Sequence, residues 1–305
     1  MKASKSLVFF TSLPAVGGHT TLTLGLVKLL REDFRDIFII AKEMPGHGSS
    51  PEAKALLQEW GAHVQEIPAA RSLLSSLSTL QTCAFGGRLH RPSSFLAMGM
   101  RNLAPVLAFA LRPRNSVYYH ITHELTPAIL TMLKNYGRFF SRIVFISPAT
   151  YRDFAPKERK GVQSSWGLAP SELTGPILDR PSRAPGPVRL GFIGRLNEAK
   201  GSKVLLDFSR TASIPCEMHV AGGGELESDF AALQTEANRT SSVRMKYWGK
   251  FSASDRKEFF SKFFPTIDYL VVPSQDESEG IPTVILESLQ FGVPVVATRT
   301  GGITA

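Results

Sequence analysis

Short apolar runs alternate with helix-like stretches along most of this chain, and that alternation constrains the fold more than any other feature. The first instance is a strand from Ser6 to Ser12, a glycine-containing loop from Pro14 to Gly18, a periodic helix from Thr20 to Leu30 and a strand from Ile37 to Ala41. A helical crossover returns the chain to the same end of the sheet, so two strands joined in this way pair in parallel. Further strands are expected at Val117 to Ile121 and Arg142 to Ser147, with helices at Pro51 to Trp60 and Pro127 to Lys134. The fold class is α/β.

At 305 residues the chain is long enough for about two domains, each with a full core. Four prolines fall in the twelve residues from Pro176 to Pro187, which bars regular structure and marks the expected linker. The expected organisation is a first Rossmann-like domain over 1–180, a linker over 181–187 and a second Rossmann-like domain over 188–305. In the second, strands are expected at Val188 to Ile193, Glu217 to Ala221, Val243 to Trp248, Tyr269 to Pro273 and Val293 to Thr298. Helices are expected at Ser202 to Arg210, Leu226 to Thr235, Ala253 to Phe260 and Pro282 to Phe291, so both halves read as doubly wound parallel sheets.

Charge narrows the partners. Lys and Arg number 35 against 26 Asp and Glu, a net charge of +9, and the pI is near 9.7. Such a balance favours phosphates, acidic lipid or nucleic acid. Nucleic acid is the weakest of these, because the arginines lack interleaved aromatics and no recognised binding module is present. Cys83 and Cys216 are too few and too far apart for a zinc site or a disulfide framework, which points to a reducing compartment and a cytoplasmic protein. Lys2 and Lys5 before Leu7 to Phe10 mimic a signal peptide, but Thr11, Ser12 and Pro14 break the apolar run, and it reads as the first strand. The longest apolar stretch, Phe95 to Leu111, is interrupted by Arg101, Asn102 and Pro105 and does not match a spanning helix.

The stretch from Asp268 to Gly302 carries the most chemistry. A buried strand delivers an acidic loop, and the next helix opens with Pro282 at a position suited to N1 and closes before Gly292. Ligands of open α/β sheets sit beyond the carboxyl ends of the strands, where helix N-termini offer free N–H groups. Glu279 lies in the loop, and Glu287 lies roughly 7–8 Å further along the helix axis than Pro282 at 1.5 Å per residue. Two carboxylates so placed can grip one extended ligand at different points. The plainer alternative is that Glu279 complements the helix dipole and Glu287 is a solvated helix residue.

Glu279 and Glu287 form an E-x7-E pair that, with its surroundings, resembles the signature of family 4 glycosyltransferases of the GT-B fold. The same order of elements runs through Gly191-Phe-Ile-Gly-Arg-Leu196 with Lys200-Gly201, Val220-Ala-Gly-Gly-Gly-Glu225, Tyr247-Trp-Gly-Lys250 and Gly301-Gly302-Ile303. In the first half the resemblance is looser, through Gly17-Gly18, Tyr119-His-Ile-Thr-His-Glu124 and Phe145-Ile-Ser147. It implies a retaining transferase that moves a sugar from a nucleotide-sugar donor, bound mainly by the second domain, to a glycan or lipid-linked acceptor bound mainly by the first, the two facing across a cleft.

Carried over by position, Arg195 and Lys200 would neutralise the diphosphate, Glu287 would accept hydrogen bonds from the ribose hydroxyls and Glu279 would face the donor sugar. Gly194, Gly222, Gly223, Gly280, Ile281 and Pro282 would complete the donor site. Gly17 and Gly18 would aim N–H groups into the cleft, and His123 would contact the donor sugar. A departing diphosphate develops negative charge that fixed cations stabilise. No D-x-D occurs in the chain, so transfer without a metal or further cofactor is expected. Other readings remain at this stage: Arg195 and Lys200 as surface charges, Gly222 to Gly224 and Gly17-Gly18 as plain turns, and His123 as a local cap. At the level of the whole chain, the alternatives are a GT-B nucleotide-sugar epimerase and a non-catalytic nucleotide-sugar-binding remnant.

From Ile67 through His123 there is no acidic residue but six arginines, Arg71, Arg88, Arg91, Arg101, Arg112 and Arg114, and Leu73, Leu74, Leu77 and Leu80 stand at helical spacing beside the first. Such a surface suits an anionic membrane, and core packing explains the leucines equally. The chain stops three residues after Gly301-Gly302, where the resembled enzymes continue. A truncated second domain with low solubility, weak donor binding and little turnover is therefore expected.

Overall fold

The structure is a computed structural model and describes residues 5–14, 18–43, 49–67, 92–99, 103–121, 125–154, 161–163, 186–240, 242–252, 255–277, 279–280 and 282–304. It divides into two compact units, Met1–Trp166 with Ala305, and Gly167–Thr304. The division falls within 164–185, outside the described residues, as do 181–185 of the expected linker.

In the first unit the strands are β1 Ser6–Thr11, β2 Asp36–Lys42, β3 His63–Ile67, β4 Ser94–Met98, β5 Asn115–His120, β6 Arg142–Phe145 and β7 Gly161–Gln163. The helices are α1 Gly18–Leu30, α2 Pro51–Glu59, α3 Ala104–Leu111, α4 Pro127–Tyr136 and α5 Pro148–Phe154. All strand pairs are parallel, in the order β3-β2-β1-β4-β5-β6-β7, so the order reverses between β1 and β4. Successive side chains of a strand point to opposite faces. Accordingly Leu7 and Phe9 join Val27, Ile39 and Leu57 in one core, while Val8 and Phe10 join Phe95, Tyr118 and Phe145 in another. With both faces covered, the central strand reads as an unbroken apolar run. Each such side chain contributes about 1.5–3 kcal/mol through burial.

Two helices start as their sequences dictate: Ser50 accepts the Ala53 N–H at 3.1 Å before Pro51, and Thr126 accepts the Ile129 N–H at 3.4 Å before Pro127. The apolar run from Phe95 to Leu111 divides into β4 and α3, which periodicity does not distinguish, because β4 is buried and the exposed face of α3, Val106, Phe109 and Ala110, is apolar as well. Among the described residues no helix is long and apolar enough to cross a membrane.

The second unit has strands β8 Val188–Ile193, β9 Cys216–Ala221, β10 Val243–Tyr247, β11 Tyr269–Val272 and β12 Val295–Ala297, with helices α6 Ser202–Thr211, α7 Glu227–Thr240, α8 Arg256–Phe263 and α9 Thr283–Gln290. Its sheet is parallel in the order β10-β9-β8-β11-β12 and reverses between β8 and β11. Pro282 is the N-cap of α9 and not its first residue, its ring-fixed φ of −59° serving an extended backbone with ψ 124°. Helix α8 begins at Arg256, later than the expected Ala253. Phe260 and Phe263 of α8 are buried with Phe264, which stacks on Phe291 at the end of α9 with centroids 4.8 Å apart. This aromatic packing sets α8 beside α9.

Candidate functional site

Where the order of a doubly wound sheet reverses, adjacent loops at the carboxyl ends of the strands diverge and leave room for a ligand. In the second unit that place lies between β8 and β11, and the loops that follow β8, β9, β11 and β12 are joined there through the main chain. The Leu196 N–H donates to Gly223 O at 3.0 Å, Gln275 N–H to Ala199 O at 2.9 Å, and Gly302 N–H to Glu279 O at 2.8 Å. The Thr298 hydroxyl donates to Ser274 O at 2.6 Å. Two glycines make the approach possible. At Gly201, φ is +71° and a Cβ would stand 1.9 Å from Pro273 O; at Gly222, φ is +134° and a Cβ would stand 1.8 Å from Gly194 O.

This frame carries the charges. Asn197 accepts the Lys200 N–H at 3.1 Å and so caps the short 3₁₀ turn Glu198–Lys200, while the Ser202 hydroxyl donates to Arg195 O at 3.2 Å. Lys200 Nζ is ion-paired with Glu279 Oε2, with side-chain exposures of 23% and 12%. Ser274 Oγ lies 3.5 Å from the same oxygen. Removing either partner of such a pair leaves a poorly solvated charge behind. The guanidinium of Arg195 is half-buried and has no ion pair or hydrogen bond among the described residues. A cation and a paired ammonium on one strand-to-helix connection form a natural seat for a polyanion.

Glu287 departs from the reading of a solvated helix residue, for it is 4% exposed. Its Oε1 accepts from Arg256 Nε at 3.1 Å and also from Arg256 Nη2, which in turn lies 3.4 Å from Thr283 Oγ1. Arg256 Cζ stands 4.9 Å from the centre of the Phe260 ring. Sequence reasoning missed Arg256, whose only local signal is a cation in the first turn of a helix, where the dipole disfavours it. Gly194 N–H donates to Ala221 O at 3.1 Å, Tyr247 OH donates to Gly222 O at 2.8 Å, and the Gly280 backbone lies against Gly302. Burial and the nearby Glu227 carboxylate push the Tyr247 phenol up to about 12, so it stays a neutral donor.

Of the remaining expected site residues, Ile281, Gly17 and His123 lie outside the described residues, and Gly18 is the first residue of α1 in the first unit. His120 is buried, edge-on to Phe145. In its place, the reversal point of the first sheet holds His19, which was not singled out from sequence. His19 Nδ1 lies 3.1 Å from Ser12 O and 3.2 Å from Ser12 Oγ, and burial lowers its pKa from 6.5 to about 4 against the opposing pull of the Ser12 and Met98 carbonyls. Thr11 and Thr23 share a hydrogen bond of 3.1 Å nearby. Among the described residues no cluster of three or more His, Cys, Asp or Glu has the arrangement of a metal site.

Residues 187–305 match the family model described as glycosyl transferases group 1. The matched residues fall in the second unit, save Ala305. Two D-inositol 3-phosphate glycosyltransferases are similar to the chain: that of Corynebacterium jeikeium, 35% identical over 128 residues (37% of this chain and 28% of the relative), and that of Corynebacterium urealyticum, 32% identical over 183 residues (56% and 38%). The chain thus spans little more than a third, at most, of the length of these curated relatives.

Over the whole chain the fold is that of solved GT-B glycosyltransferases. The crystal structure of Anabaena HepE in complex with UDP and glucose aligns at a TM-score of 0.67 and 16% identity, covering 98% of this chain and 82% of that one. The UDP-forming α,α-trehalose-phosphate synthase from Burkholderia vietnamiensis aligns at 0.63 and 12% identity, covering 100% and 85%. In the second unit Gly194, Arg195, Lys200, Gly222, Gly223, Glu279 and Gly280 lie on the segments that follow the strands, and Glu287 lies in α9.

Proposed function

We propose that the chain is the catalytic part of a retaining glycosyltransferase that takes a sugar from a nucleoside-diphosphate donor and places it on a glycan or lipid-linked hydroxyl. The observation that carries this reading is the Lys200–Glu279 pair together with Arg195, whose guanidinium has no partner among the described residues, all on loops locked together at the reversal point of the second sheet. Arg195 and Lys200 take the diphosphate and stabilise the charge that grows on it as the sugar–phosphate bond breaks. Glu279, oriented by Lys200, faces the sugar, and Glu287 accepts the ribose hydroxyls. His123 contacts the donor sugar, and Gly17 and Gly18 offer N–H groups to it. The cations supply the charge that a divalent ion supplies in D-x-D enzymes, so the reaction runs without one.

The reading places the protein in the cytoplasm, with the basic segment Ile67 to His123 directed at an anionic membrane. Of its arginines, Arg112 and Arg114 lie among the described residues. Thermal shift against UDP, GDP, ADP and their sugars tests the donor site, since a ligand that binds only the folded state raises Tm with its concentration. Glu287→Gln should weaken the free nucleoside diphosphate, and Glu279→Gln should weaken the intact sugar donor more. Equal effects of both changes on both ligands overturn the assignment. Co-sedimentation with anionic vesicles, falling as salt rises, tests the membrane face.

A further inference from the structure

Arg256 breaks a local rule. It occupies the first turn of α8, where the unpaired N–H groups and the helix dipole disfavour a cation, and its side chain leaves its own helix to reach α9. Such a violation of local preference is retained where something else requires it. Three contacts fix the guanidinium: two donors on the single oxygen Oε1 of Glu287, an approach of 3.4 Å to Thr283 Oγ1 one helical turn earlier on the same face, and the Phe260 ring 4.9 Å below. Glu287 is nearly fully buried, and a carboxylate taken out of water in this way is held in one orientation only by a matched charge.

We infer that Arg256 is a positioning residue for the nucleoside half of the donor: it aims and charge-balances the Glu287 carboxylate, so that the affinity for the ribose hydroxyls depends on a side chain that does not itself reach the ligand. This rests on the reading of Glu287 as the ribose acceptor. A point charge is not equivalent, because the guanidinium presents two nitrogens, Nε and Nη2, to Oε1 in a fixed plane, which one ammonium nitrogen does not. A bridge that merely fastened α8 to α9 would alter stability and leave ligand discrimination untouched.

The test uses the full chain and measures Kd for the tighter of UDP and GDP, for its 2′-deoxy and 3′-deoxy counterparts and for inorganic pyrophosphate, in wild type, Arg256→Gln, Arg256→Lys and Glu287→Gln. The expected result is that Arg256→Gln weakens the ribonucleoside diphosphate roughly ten- to hundred-fold, the range for a lost hydrogen bond to a charged group. Pyrophosphate binding stays within about two-fold, an effect of under 0.5 kcal/mol and so below a single neutral hydrogen bond. The penalty that the wild type shows for a deoxyribose should shrink to near unity in both Arg256→Gln and Glu287→Gln, and Arg256→Lys should restore part of it. If Arg256→Gln keeps the full deoxyribose penalty, or weakens pyrophosphate as much as the nucleotide, Arg256 is a structural staple and the inference is overturned. A wild type that shows no deoxyribose penalty overturns the role of Glu287 itself, a failure distinct from that of Arg256.

Discussion

The two units are built on one plan and finished differently. Each is a parallel sheet whose strand order reverses next to its first strand, at β1/β4 in one and β8/β11 in the other. Among the described residues, that reversal in the first unit gathers neutral groups, Thr11, Ser12, Thr23 and a histidine kept uncharged by burial. The second gathers Arg195, Lys200 and Glu279 on loops in main-chain contact, and pairs Arg256 of α8 with Glu287 of α9. Topology therefore selects where a ligand can go, and the side chains delivered there select which one.

The contrast is most easily broken at the glycines. Gly201→Ala puts a Cβ 1.9 Å from a carbonyl oxygen at a positive φ, and it should cost at least about 4 kcal/mol in urea unfolding. Gly61→Ala in the first unit, at φ +82° but with nothing within 4 Å, should cost only about 1–2 kcal/mol. Similar losses for the two would mean that the loops after β8 and β11 are not pressed together. Next in size, Lys200→Ala should remove on the order of 2–4 kcal/mol of transition-state stabilisation from kcat/KM with the best donor. An active Lys200→Ala enzyme would deny the charged end its role.

His19 sharpens the neutral side of the comparison. The unfolded chain takes up its proton near 6.5 and the folded one only near 4, so the stability present above pH 6.5 is lost as the pH falls, by up to about 3 kcal/mol at pH 4. Between pH 7 and 4 the unfolding free energy of wild type should fall relative to that of His19→Gln by up to about 3 kcal/mol. Parallel profiles would show that His19 is not held neutral. The smallest effect belongs to the exposed i,i+4 pair Lys262–Glu258 at 2.6 Å, where Glu258→Gln should shift Tm by an amount equivalent to about 0.3–0.5 kcal/mol and leave donor binding unchanged.

How far the molecule could be read from its sequence differs between the units in the same instructive way. All five strands of the second sheet are legible because each is bounded by a glycine, a proline or a helix start, as at Ile193-Gly194 and Ala221-Gly222. In the first unit β4 and α3 fuse into one apolar run, and β3, with the polar edge pattern His63-Val-Gln-Glu-Ile67, offers little periodicity. Lys200, Glu279 and Glu287 were recognisable from spacing and from a family resemblance. The Arg256–Glu287 bond was not, because its partners are 31 residues apart and no local pattern couples them. His19 escaped for a related reason: its meaning comes from burial by β4, a strand the sequence did not declare.

The approach of Gly201 to Pro273 and of Gly222 to Gly194 has a thermodynamic consequence. Loops that touch through their main chains have surrendered their conformational freedom during folding, at about 1–2 kcal/mol per residue, and have little left to lose when an anion arrives. The main chain of these loops is preorganised in the strict sense: it stands in place before any ligand does. A ligand that binds between such loops therefore meets only a small entropic penalty from their main chain.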